Sequence, residues 1–376
     1  MKSSPPRLVT ADHAAEALAA RRAYTGVELP HLAGAPVEST SAAGNVEGMV
    51  GYAQVPVGIA GPLVLRGDFA GSYTVPFATT EGTMVASYQR GMKVIAESGG
   101  AVVRVLREGY ALFPLLAYAE VDEAVAAGEW VDAHREWLAT VPEGTTMHGK
   151  VTEIGWEILG RRLLLTLRMH TGNAQGANMV NRAAQALVAE IAKATGPARV
   201  ALHGYDPEKR ASTRHWRGRW VVASVRVPAS VVVSRLHTSA AALAHLWADY
   251  QLAYARMGTA NHALQVANGL AGIYLATGQD AAYTAESCAS SLSLEDDAGD
   301  LVATLDLPSL HAATVGGGTQ KGTAAECQRI IGARSAAELA CVMAGTLLAG
   351  DLNLAASFLG DDFAGAHERL GRSRPD

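Results

Sequence analysis

Cysteine is scarce in this chain. Only Cys288, Cys327 and Cys341 occur in 376 residues, too few for a disulfide scaffold and without the short spacings of a metal site. Reduced thiols, a cytoplasmic setting and no bound metal are the expectation. Positive charge is not in excess either. Lysine and arginine number 31 against 36 acidic residues, a net charge of −5, which excludes the basic footprint of a nucleic-acid partner. The densest basic stretch, Lys209, Arg210, Arg214, His215, Arg217 and Arg219, is too short for a duplex groove but suits a phosphorylated small molecule. The N-terminal stretch has no apolar h-region, so no signal peptide is read there. The most apolar run, about 336–360, is interrupted by Glu338 and Asp351 and reads as a core helix, not a membrane span. Internal repeats and low-complexity tracts are missing. So is the strand–turn–helix glycine fingerprint of a Rossmann enzyme, and VGGGTQKG has neither that spacing nor that of a phosphate loop.

What is present is ordinary globular material, 49% apolar and 18% charged, long enough for two or three folding units. Residues 11–24 read as an Ala-rich helix and 26–45 as a linker. Residues 52–65 read as strand and turns, and Thr80 opens a helix over about 82–97 with Glu81 in its first turn. From 114 to 203 the pattern is strand, helix, two strands about Gly160, helix, strand, which is the split βαβ arrangement. Long helices follow near 237–276 and 321–346, and the polar tail from about 361 is expected to be mobile. The fold class is therefore α+β. A segment and linker (1–45) precede a large domain (46–111 and 203–360) that is interrupted by a small domain (112–202) and followed by a tail (361–376).

Five blocks add specificity: YAQVPVGIAGPL, ATTEGTMVASYQRGMKVI, TGNAQGANMV, YLATGQDAA and TVGGGTQ. In this order and at these distances they resemble the signature blocks of the HMG-CoA reductase family, more the class I than the class II form. The resemblance runs from about Glu47 to Arg372. It implies a large α/β domain with an inserted ferredoxin-like cofactor domain, and NADPH-dependent reduction of an acyl-CoA thioester to an alcohol. It also implies a homodimer or dimer of dimers with a shared active site, while the charge balance and the interrupted apolar run argue for no nucleic acid and no membrane anchor. Four residues match the catalytic set: Glu81, Lys209, Asp280 and His367, the last 17 residues after Gly350. Each has a plainer reading: a helix-dipole partner, a solvated loop charge, an N-cap and an idle tail residue. Only their joint fit favours catalysis, although lysine is rare here, six against 25 arginines. Lys150, Asn173, Ala174, Gln175, Gly176, Asn178, Met179 and Arg372 fall at cofactor positions. Ser87, Arg90, Leu112, Leu202, Glu208, Arg210 and Asn268 fall on the substrate side.

The chemistry suits these residue types. Hydride addition to a thioester builds an oxyanion, which an ammonium stabilises, and a carboxyl of raised pKa can protonate it. An imidazolium can protonate the departing thiolate.

Several positions depart from the family. Glu47-Gly48 replaces Glu-Asn, and Asn173 and Gln175 replace Asp and Met. The arginine that meets a cofactor 2′-phosphate falls on Met147, with Lys150, His148 or Arg372 as stand-ins, so NADPH is favoured with NADH kept open. On the acyl side an arginine falls on Leu112 and a serine on Leu202, while Glu208 replaces an aspartate. Reduction of 3-hydroxy-3-methylglutaryl-CoA to mevalonate is the first expectation. A less polar acyl thioester is the alternative, and a catalytically silent scaffold is a third reading. If Leu112 and Leu202 line the acyl pocket, Leu112→Arg would favour the carboxylate-bearing substrate.

Overall fold

The computed structural model describes residues 4, 5, 15–35, 37, 38, 45–47, 49–205, 207–212 and 215–360. His367, Arg372 and the 361–376 tail lie outside the described residues. Helix α1 (Ala15–Thr25) precedes the hairpin β1 (Val57–Gly67) and β2 (Gly71–Ala78), then α2 (Met84–Glu97) and the long strand β3 (Ala101–Leu112). Next come β4 (Leu115–Ala117), α3 (Val121–Ala133), α4 (Arg135–Glu143), β5 (Lys150–Ile158), β6 (Arg162–His170), α5 (Ala177–Thr195) and β7 (Arg199–Ala201). The chain continues with β8 (Gly218–Val227), a helical turn α6 (Ala229–Val231), α7 (Ala240–Met257), β9 (Asn261–His262), α8 (Val266–Thr277) and the short α9 (Thr284–Ser287). Strands β10 (Ser290–Asp297) and β11 (Asp300–Leu310) precede α10 (Gly322–Ile331) and α11 (Ala336–Leu359).

Strands β7–β4–β6–β5 run side by side, every pair antiparallel, in the strand order of a split βαβ unit. Strand β3 joins this unit to the rest. Its first half pairs with β1 and β8, while Tyr110–Leu112 pair with Leu167–Met169 of β6. The larger sheet continues through β8, β11, β10 and β9 and is mixed, because β1–β3 and β9–β10 are parallel. The helix read over 122–140 is two helices, meeting at His134. The long helix read over 237–276 is also two, since Gly258 takes a left-handed φ of 66° and the chain enters β9 before α8.

Helix α11 is the hub. Nearly every side chain over its 24 residues is buried, and it touches α2, α7, α8 and strands β1, β3, β8 and β11. It is long and apolar enough to cross a membrane, but 94% of its most apolar window is buried inside the protein, so it is a core helix. Helix α2 crosses it at Gly91, where a Cβ would stand 1.7 Å from the Ala349 carbonyl oxygen. Only glycine permits that approach.

Candidate active site

Glu81 does not lie in a helix's first turn. Thr83, at a left-handed φ of 71°, separates it from α2, which starts at Met84. The Thr79 hydroxyl accepts from the Glu81 N–H at 2.9 Å, so an ST turn, not a Thr80 cap, shapes the approach. The Glu81 carboxylate accepts from Asn268 Nδ2 on α8 at 3.4 Å. The start of α8 is in turn held by Asp351 of α11, whose Oδ1 accepts from the N–H groups of Leu264 (3.0 Å) and Gln265 (2.7 Å). Asp351 Oδ2 is buried with no partner, and burial, only partly offset by those two N–H groups, pushes the carboxyl up to about 7. Ser87 completes this junction by accepting from Gln265 Nε2 and Asn353 Nδ2, both at 2.8 Å. Arg90 lies exposed on the same helix.

Lys209 and Asp280 meet directly. Lys209 Nζ lies 3.0 Å from Asp280 Oδ2, with both side chains a little under half exposed. The plainer reading of Asp280 also holds, for its Oδ1 caps the following turn through the Ala282 N–H at 3.0 Å. One carboxylate thus fixes the turn with one oxygen and the ammonium with the other. Among the described residues no hydrogen bond or ion pair links Glu81 to this pair. Asp280 therefore touches Lys209 and not Glu81.

The Lys209 backbone adopts a left-handed φ of 58°, uncommon for a side chain of its length. Its N–H donates to Glu286 Oε2 at 3.0 Å. Glu286 is buried, and burial raises its pKa. The nearby His311 and the Arg217 guanidinium outweigh that and bring it down to about 2. Arg217 grips Glu286 with Nε at 2.7 Å and Nη2 at 2.5 Å, while His311 Nε2 stands 3.1 Å from Glu286 Oε1, off a good hydrogen-bond line. The residue before the lysine, Glu208, accepts from the Tyr283 hydroxyl at 2.7 Å, and Lys209 Nζ lies 5.2 Å from the centre of the Tyr283 ring. Arg210 Nη1 donates to the Glu208 carbonyl at 3.0 Å.

Sequence reasoning missed Tyr110, Tyr283, Glu286 and His311. A signal existed for two of them: Tyr283 and Glu286 follow Asp280 at steps of three, which places them on one side of a tight helical turn. The basic stretch 209–219 is not one anion-binding surface. Arg217 and Arg219 are buried, the second beside Glu108 with Nε at 3.3 Å, because the alternation of β8 turns these side chains inward. Leu112 does not line an open pocket. It is 2% exposed within the main apolar core, opposite Leu167, and Leu202 packs against the same core. The arginines earlier on β3 are engaged elsewhere: Arg104 pairs with Asp68 at 2.5 Å, and Arg107 lies over Trp216 and Trp220.

The cofactor candidates cluster around the start of α5. Gly176 caps this helix at φ 95°, and a Cβ there would meet the Thr171 side chain at 2.2 Å. The Thr171 hydroxyl donates to the carbonyls of Ala174 (3.0 Å) and Gln175 (3.2 Å), closing the loop on itself. Asn173 ties the loop to the glycine turn. Its carbonyl accepts from Thr314 at 3.0 Å, and its side chain accepts from the Ala336 N–H at 3.0 Å. Asn178 is exposed and Met179 half-buried in the first turn. Lys150 Nζ pairs with Glu143 at 2.9 Å, and Met147 is 91% exposed. A small polar cavity between the loop and the large sheet is lined by His170, Thr171, Gln175, Arg219 and His311. Among the described residues no cluster has the makings of a metal site.

A family model described as hydroxymethylglutaryl-coenzyme A reductase matches residues 12–372. The 3-hydroxy-3-methylglutaryl-coenzyme A reductase of Methanothermobacter thermautotrophicus is 35% identical, over 95% of this chain and 94% of the relative. That of Haloferax volcanii is 36% identical, over 90% of this chain and 87% of the relative. Among solved structures, the class II reductase of Streptococcus pneumoniae bound to NADPH superposes with a TM-score of 0.77 at 22% identity. It covers 92% of this chain and 97% of that one, and it shows a shared fold. With a family model matching residues 12–372 and relatives this similar over nearly their whole lengths, this chain belongs to the hydroxymethylglutaryl-coenzyme A reductase family.

Proposed function

We propose that this protein reduces 3-hydroxy-3-methylglutaryl-CoA to mevalonate with NADPH, in two hydride transfers. The observation that carries the reading is the Lys209–Asp280 pair at 3.0 Å on a loop held in a left-handed turn. Each element of the chemistry has a candidate. Lys209 supplies positive charge where the thioester oxygen becomes an oxyanion, an effect worth roughly 3–4 kcal/mol for a well-placed donor. Asp280 holds that ammonium in place. Glu81, steadied by Asn268, is the proton donor to the oxygen, and His367 the donor to the leaving thiolate. Ser87, Arg90, Glu208 and Arg210 are the remaining polar candidates for the acyl-CoA.

The residues fit a dinucleotide. The first-turn amides of the 19-residue helix α5 are free of intrahelical acceptors and suit an anion, and Gly176 lets the Thr171 loop fold tightly against the helix start. Ala174, Gln175, Asn178 and Met179 flank that turn. NADPH, when bound, supplies the hydride. Lys150 would exchange Glu143 for a 2′-phosphate, with Arg372 as the second candidate. On this reading 112–202 is the cofactor unit, and the enzyme is a cytoplasmic homodimer or dimer of dimers with a shared site.

The second reading, a less polar acyl thioester, rests on Leu112 and Leu202, which replace polar family residues; they belong to or pack on the apolar core, so the replacement is not evidence for an apolar acyl pocket. The test is NADPH and NADH oxidation by the purified chain against a panel of acyl-CoAs. Turnover confined to neutral acyl-CoAs would select the second reading, and no oxidation with any of them would leave the silent scaffold.

A further inference from the structure

A chain of hydrogen bonds reaches the Lys209 loop from the interior. Arg217 Nη1 donates to the Tyr110 hydroxyl at 3.2 Å, the Tyr110 and Tyr283 hydroxyls lie 3.0 Å apart, and the Tyr283 hydroxyl reaches Glu208 Oε1 at 2.7 Å. Its direction is forced. A guanidinium can only donate and an ionised carboxylate can only accept, so every proton between them points toward Glu208. Bonds aligned this way polarise one another in a dry environment, and Arg217, Tyr110 and Tyr283 are all at most 3% exposed. Tyr283 acts twice, because its ring also faces the Lys209 ammonium at 5.2 Å.

We propose that Tyr283 is a positioning residue that fixes Glu208 with its hydroxyl and Lys209 with its ring, so that acyl recognition and charge stabilisation are set by one buried side chain. This rests on the functional reading above, in which Glu208 meets the acyl group and Lys209 the developing oxyanion. Nothing in the two hydroxyls is consumed, and the aligned chain holds geometry only.

The test uses the full chain and steady-state NADPH oxidation with 3-hydroxy-3-methylglutaryl-CoA. Tyr283→Phe keeps the ring and cuts the last bond. It should raise the KM for the thioester by about fivefold or more, with the KM for NADPH and the Tm nearly unchanged. Tyr110→Phe cuts the chain one link back and should raise the same KM less, and the double variant should be no worse than Tyr283→Phe by more than about twofold. Tyr283→Leu, which removes the ring as well, should lower kcat by a further factor of about ten. An unchanged thioester KM in Tyr283→Phe overturns the proposal, as does a parallel change in both KM values and the Tm, which would mean packing alone. Should Tyr283→Phe fail to fold, Tyr110→Phe decides by the same KM. A wild-type chain that does not turn over this thioester sinks the functional reading and this inference together, whereas wild-type turnover with indifferent tyrosine variants sinks only the inference.

Discussion

Lys209 illustrates how much a single side chain carries. Its side chain is 42% exposed and its ammonium rests on Asp280, so the core does not depend on it. Lys209→Ala should therefore keep its Tm while kcat falls by about 100-fold or more. Turnover near wild type in a folded variant would remove the lysine from the mechanism. Leu112 makes the opposite case. Counting along the sequence placed it where relatives hold a carboxylate, but counting does not say which way a strand residue faces. At 2% exposure beside Leu167, an arginine would arrive as an unpaired buried charge. Leu112→Arg is expected to destabilise the fold by several kcal/mol, not to switch substrate preference, and a thermal melt beside activity on both thioesters separates the outcomes. Glu81 and Asp280 were legible as site candidates because their blocks are compact and specific, whereas the contact of Glu81 with Asn268 was not read from the sequence. The contact between Tyr110 and Tyr283 was not legible, since 173 residues separate them and no local pattern announces it.

Helices declare themselves by period. The buried set of α5, Val180, Ala183, Ala184, Leu187, Val188 and Ile191, follows steps of three and four, and its limits were readable to within a residue or so. Ends set by backbone conformation were not, which is why Thr83 and Gly258 divided segments that propensity would have continued. Two predictions belong to the junctions between helices. Gly91→Ala places a methyl 1.7 Å from the Ala349 carbonyl oxygen, so α2 and α11 must separate. A loss of about 3 kcal/mol is expected from denaturant titration, and a neutral result would refute the close crossing. Asp351 governs pH dependence where α11 holds α8. Its folded pKa is raised to about 7, above the unfolded value, so the folded state binds the proton more tightly. The stability this confers is full below about pH 4 and is lost as pH rises toward 7. Asp351→Asn should flatten that part of the profile, gaining Tm relative to wild type between pH 5 and pH 8. Parallel curves for the two proteins would show that the carboxyl does not titrate there.

The described residues close on α11, which ends at Leu359, before the 361–376 tail. Removing them should leave a folded protein that reduces a supplied aldehyde better than the thioester, because no thiolate departs in the second reduction. Equal losses on both substrates would argue against His367 as the thiolate's proton donor. Sedimentation of the intact chain tests the proposed dimer. The central place of α11 also sets a timetable for biosynthesis. The sheet strands and α2 leave the ribosome with the side that α11 will cover still bare, and the large core cannot close until residue 359 has emerged. The split βαβ unit, whose strands lie between residues 115 and 201, has all of its own helices to hand earlier. At about 5–20 residues per second the nascent chain holds an open apolar face for many seconds, and its last helix is apolar enough to pass for a membrane anchor as it appears. A chain stopped before Ala336 should therefore reach the insoluble fraction with its small unit folded and its large one not.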